Sequence, residues 1–150
     1  MRIDLARALL AGIAGTVVFD LVGLAITGTL WDIPTLLAGR LAAPLEAGIT
    51  LHYTIGTTLA VIYAALAPSL PGNRWGKAVF FMTAQTVLGV WFFMMPLVGA
   101  GVAGLGMNTA FPLISLVRHW GYAAALGLIY PVEDASGLSA EAPQTAEVTP

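Results

Sequence analysis

The chain of 150 residues has no cysteine, and only 9% of it is charged. Without cysteine there is neither a disulfide framework nor a thiolate metal site, and the redox compartment is left open. A soluble domain typically needs about a quarter or more of its surface charged, so so few Asp, Glu, Lys and Arg exclude that class. The six basic residues are scattered and the net charge is −2, which excludes a nucleic-acid partner. Hydrolytic signatures are missing as well: there is no Gly-x-Ser-x-Gly elbow, no phosphate-binding P-loop and no His-Glu-x-x-His. Acids and bases are too few for a hydrolase, and no enzyme activity is expected from this chain alone.

What is present is apolar. Hydrophobic residues make up 58% of the chain and the mean hydropathy is +0.86, the composition of a protein dissolved in a bilayer. Four runs, 5–30, 45–66, 76–98 and 111–132, are long enough to cross a hydrocarbon core, which takes about 20 helical residues. The expected class is an all-α membrane protein of four transmembrane helices over 1–132. Ala67-Pro-Ser-Leu-Pro-Gly-Asn-Arg-Trp75 makes a tight turn between the second and third runs. The connections 31–44 and 99–110 are expected as short re-entrant or interfacial pieces. The tail 133–150, with four acids, two prolines and no aromatic residue, is expected to lack order of its own.

Arg2, Arg7, Arg74 and Lys77 fall on one side of this topology, and only Arg40 and Arg118 on the other. The positive-inside rule then places both termini in the cytoplasm, across a prokaryotic inner membrane. The first run holds Asp20 and has no clear small-residue cleavage site, so it reads as a retained helix.

The two histidines, His52 and His119, are each followed eleven residues later by a tyrosine, Tyr63 and Tyr130. Leu59 and Ile62 recur as Leu126 and Ile129, and Pro-x-x-x-Ala-Gly occurs at 34–39 and again at 96–101. These matches predict a tandem repeat of two two-helix units, with the second and fourth helices equivalent and packed near a pseudo-two-fold axis. At roughly 100° per residue, eleven residues return to nearly the same helix azimuth. His52 and Tyr63 therefore share a stripe with Gly48, Gly56 and Ala60, and His119 and Tyr130 share one with Ser115, Ala123 and Gly127.

These stripes have two readings. In one they are packing seams whose small residues admit close helix approach, with Tyr63, Tyr130, Trp31 and Trp75 anchoring at the membrane interfaces. In the other, Gly48 and Ser115, each four residues before a histidine, leave room for the flat ring of a haem or (bacterio)chlorophyll that His52 and His119 would ligate. A two-histidine, one-carboxylate metal site with Asp20 weighs less than either. Asp20 itself needs a partner at its own depth, for which His52, His119, Thr54 and Gln85 qualify. Arg118 is expected to snorkel outward along its stem.

Arg118-His119-Trp120-Gly121-Tyr122 followed by Leu126-Gly127-Leu128-Ile129-Tyr130 resembles the end of a family of small, uncharacterised four-helix prokaryotic membrane proteins, a domain of unknown function. There the last helix also reads His-apolar-x-Tyr and then Leu-Gly-x-x-Tyr. Many relatives carry a glycine after the first tyrosine, where this chain has Ala123. The resemblance implies four helices and no particular chemistry. The function expected is therefore association, as an accessory subunit of a larger inner-membrane complex or as a homo-oligomer. A pigment or electron-transfer protein and an ion or proton pathway around Asp20 are the alternatives.

Overall fold

The computed structural model describes residues 3–130 and 132; the expectation for 133–150, like Arg2, lies outside them. The described chain is helical and has no strand. The long elements are α1 (Leu5–Thr27), α3 (Leu45–Leu66), α4 (Arg74–Gln85) and α6 (Phe111–Ile129), with shorter α2 (Asp32–Arg40) and α5 (Met95–Leu97). α4 runs on through wide π turns over Thr86–Met94 into α5, forming one rod.

Local chemistry sets the ends. Asp4 caps α1 by accepting a hydrogen bond from the Arg7 amide at 3.0 Å. Gly28 stops the helix in the left-handed conformation at φ 73°, three residues short of the sequence boundary. Asn73 caps α4 by accepting from the Gly76 amide at 2.9 Å, so α4 begins at Arg74 and not at 76. Three helices, Leu5–Thr27, Leu45–Ser69 and Arg74–Leu97, are long and apolar enough to cross a membrane. Arg118 and His119 lower the hydropathy of α6, which has the length of a fourth.

Packing follows side-chain size. α1 sits between α3 and α6 and makes the most extensive contacts with both, while α4 packs on α6 and α2 on α3. α3 and α6 are therefore not the directly packed pair the repeat predicts, because α1 fills the space between them. Gly56 faces Thr16 of α1, and Gly127 faces the Trp75 ring of α4. The Pro-x-x-x-Ala-Gly match also has no common structure. Pro34 to Gly39 lie within α2, whereas Pro96 to Gly101 leave a helix through Gly99 and Gly101 at φ 72° and 74°. Gly99 to Gly104 also spell Gly-x-Gly-x-x-Gly, a spacing that binds dinucleotides between a strand and a helix; here it follows a helix end and serves a turn.

Where the His…Tyr motifs do meet is side chain to side chain. Tyr63 and Tyr130 pack edge to face at 6.3 Å, both buried, and Tyr63 also meets Phe81 at 5.5 Å. They are core residues, not headgroup anchors, because the ends of α3, α4 and α6 close over them. Trp75 is 38% exposed with Arg74 over its ring, and Trp31 is half-buried at the start of α2.

Close approach is strict where α1 crosses α3: a Cβ at Gly12 would lie 2.6 Å from the Thr57 Cα, while one at Gly39 would meet nothing within 4 Å. Gly12→Ala should therefore cost about 1–3 kcal/mol through overpacking. Gly39→Ala should be neutral or stabilising by up to about 1 kcal/mol through helix propensity. Unfolding of the two variants in mixed micelles measures the contrast, and equal midpoints would remove the close α1–α3 approach.

Candidate functional site

In the half of the bundle away from Tyr63 and Tyr130, four ionisable side chains from α1, α2, α3 and α6 form one layer. The Asp20 Oδ1 of α1 lies 3.0 Å from the His52 Nε2 of α3. Arg118 of α6 donates from Nη1 and Nη2 to the two oxygens of Asp32 on α2, at 2.8 Å each. The same guanidinium comes within 3.9 Å of Asp20 and lies 4.3 Å above the Phe19 ring. Asp20 and Arg118 are 3% and 2% exposed, depths at which an unpaired charge costs several kcal/mol. Arg118 does not snorkel outward: Gly23 of α1 leaves space for its guanidinium, and the fork geometry that suits a carboxylate holds it on Asp32.

Charge balance follows from this list. The Arg118–Asp32 pair is neutral by itself, and the layer as a whole is neutral when one proton is shared between Asp20 and His52. Oδ2 of Asp20 has no hydrogen-bond partner among the described residues. Thr54, exposed on α3, bonds its own helix at the Thr50 carbonyl and does not serve Asp20.

His119 is placed differently from His52. Its Nδ1 is 2.6 Å from the Ser115 carbonyl oxygen; a carbonyl only accepts, so Nδ1 carries the proton, and the neutral ring keeps Nε2 as a free acceptor. Phe19 separates the two imidazoles, with centroids 5.5 Å from His52 and 4.9 Å from His119. The Trp91 Nε1 of the π segment donates to the Ser115 Oγ at 2.9 Å. The Tyr122 hydroxyl donates to the Gly56 carbonyl at 2.6 Å, passing the face of α1 where Gly15 leaves room for the ring. These links give places to Tyr122, Trp91, Phe19 and Asp32, none of which the sequence singled out as site residues.

Beside the layer lies a cavity of about 110 Å³, with walls that include Phe19, His52, Met82, Gln85, Met94 and His119. The Gln85 Oε1 is buried and has no hydrogen-bond partner among the described residues. Consecutive in sequence, α3 and the α4–α5 rod make hardly any backbone contact. Tyr63 against Phe81 closes the gap at one end, and Leu36 of α2 against Met95 and Val98 closes it at the other. Between these, Ile55 and Leu59 face Val90 and Met94 across the cavity, all four half-buried. The cavity is a cleft that opens sideways between α3 and the π segment.

A macrocycle shared by His52 and His119 does not fit this arrangement. The space beside Gly48 is filled by the Pro34 carbonyl and Ala38 of α2, and Ser115 is covered by Trp91. The His52 Nε2 is held by Asp20. The cavity is also on the scale of a single six-membered ring, since a cavity of about 150 Å³ takes benzene. Nor do Asp20, His52 and His119 converge as a metal site: no such group of three occurs among the described residues, and the Arg118 guanidinium already lies beside Asp20.

Compared with protein-family models, with curated proteins and with solved structures, the chain gives no match.

Arg118→Met leaves the Asp32 carboxylate without its cation and Asp20 with His52 alone, so it should destabilise the bundle by about 3–5 kcal/mol. Asp20→Asn with Asp32→Asn in the same chain should recover a large part of that loss. Denaturation of the single and triple variants tests the account; a triple variant no more stable than Arg118→Met would show that packing of the arginine stem, not its charge, matters.

Proposed function

We propose that this chain crosses the membrane four times, with α6 as the fourth crossing and both termini cytoplasmic, and that it works by binding and not by catalysis. The observation that supports this is the sideways cleft. Its walls are apolar, its inner end carries a few polar groups, and its mouth faces the space that hydrocarbon chains occupy, the usual form of a site for a small lipid-soluble molecule. Asp20 and His52 hold each other and Arg118 holds Asp32, which leaves the His119 Nε2 as an acceptor toward the cleft. A prokaryotic inner membrane suits the distribution of arginine and lysine.

A second reading, an accessory subunit packed on a larger complex or on its own copies, draws on the outer faces. Leu10, Leu21, Phe92 and Phe93 are each more than half exposed. Lipid chains cover such faces as well as protein does, so the cleft favours the first reading. A proton pathway around Asp20 draws on the buried Asp20–His52 contact.

Two measurements follow. As the chain has no cysteine, Val132→Cys, after α6, should react with an impermeant maleimide only from the cytoplasmic side and Met107→Cys, before it, only from the opposite side. Labelling of both from one side would remove the fourth crossing, and labelling from exchanged sides would overturn the orientation. Native mass spectrometry of protein released from its own lipids should show a bound small molecule near one per chain, absent from a Met94→Trp variant that plugs the cleft. Equal occupancy in the two would overturn the binding reading.

A further inference from the structure

The polar groups at the inner end of the cleft define what it recognises. His119 fixes its Nδ1 proton on the Ser115 carbonyl, so its Nε2 accepts a hydrogen bond and donates none while the ring is neutral. His119 is 8% exposed and lines the cavity. Gln85 reaches the same cavity from α4 with its Oε1 unpartnered, and its amide offers a donor and an acceptor side by side. Around them the walls are flat or soft: the Phe19 ring, Met82, Met94 and Met95. Aromatic faces and thioethers pack well against a π system. The volume, about 110 Å³, suits one six-membered ring in a cleft whose open side adds room. Anything bulkier attached to that ring must leave between α3 and the π segment, toward hydrocarbon.

We infer that the cleft binds the hydroxyl-bearing six-membered ring of a bilayer-borne amphipath, a quinol or phenolic headgroup, with its hydrocarbon tail leaving sideways between α3 and the π segment. A ring hydroxyl donates to the His119 Nε2, and a ring oxygen accepts from the Gln85 amide. Phe19 and the methionines enclose the ring faces. No electron transfer is part of this. The inference rests on the reading of the chain as an intramembrane binding protein and adds the ligand class.

The test is equilibrium binding to the full chain in nanodiscs, corrected for partition into empty nanodiscs, with three probes: 2-decylhydroquinone, 4-octylphenol and decanol. At least one ring probe should bind saturably and about tenfold or more tightly than decanol. His119→Phe and Gln85→Leu should each weaken it by about tenfold, the scale of one lost buried hydrogen bond. Met94→Trp should abolish binding of that probe while leaving the polar end intact, which guards against misfolding of the polar variants. Preference for 2-decylhydroquinone identifies the quinol source, and preference for 4-octylphenol the phenolic one. Decanol bound as tightly as both rings, or ring binding untouched by His119→Phe and Gln85→Leu, overturns the ring inference and leaves the binding cleft standing. Saturable binding of none of the three overturns both.

Discussion

The bidentate grip of Arg118 on Asp32 holds the upper half of this bundle together. A guanidinium and a carboxylate removed from water lose several kcal/mol each in hydration, and they recover it only with good geometry and further partners. Both hydrogen bonds are 2.8 Å, and the Phe19 ring faces the cation. The grip also decides where α2 lies. α2 is a nine-residue helix, too short to be stable by itself, yet it covers the outer end of the cleft and fills the space beside Gly48. Its position follows from Asp32 at its first turn, which ties it to α6, and from Pro34 and Ala38, which tie it to α3. Asp20 then completes the layer, linking α1 to α3 through His52 and standing beside Arg118.

How much of this was legible differed by residue. The long helices were, since apolar runs, a proline turn at 67–75 and the spans themselves are one-dimensional signals. A partner for Asp20 was also legible, because an ionisable group at that depth must find one and His52 lies at matching depth. Asp32 was not. It falls in a connection read as a short re-entrant or interfacial piece, and its partner is 86 positions away. The missed signal was a pair of opposite charges, Asp32 and Arg118, both on the outer side of a chain with few charges to spend. Arg118 was read outward because helix azimuth says which way a side chain leaves its own helix and nothing about the neighbour that receives it.

The tyrosines and glycines show the same limit. Tyr63 sits three residues from the end of α3, where aromatic residues often line the headgroups, yet it is fully buried because α4 and α6 meet over it. The small-residue stripes do lie inside the bundle as their periodicity demands. Their small residues face α1, α2, Trp75 and Trp91, however, and not each other. Periodicity identifies a face, while the occupant of the facing space depends on the volumes of every other helix.

Those volumes also explain why the cleft is where it is. At the tyrosine end α1 presents Ala8, Ala11, Gly12 and Gly15, so its neighbours close in around it. Further up it presents Thr16, Phe19 and Asp20, and the ring of helices must widen to take the phenyl group and the two imidazoles against it. α3 and the α4–α5 rod, joined by a short turn below, are the pair free to separate. The rod does so while changing to π turns over Thr86–Met94, a helical form found mostly where a backbone is bent to a local purpose. Wider turns redirect Trp91 to Ser115 of α6 and leave Val90 and Met94 at the cleft mouth. A uniformly α-helical rod would present different side chains at both places. The polar layer, the width of α1 at Phe19 and the π segment are thus one packing solution, in which widening the bundle around two histidines leaves an apolar opening beside them.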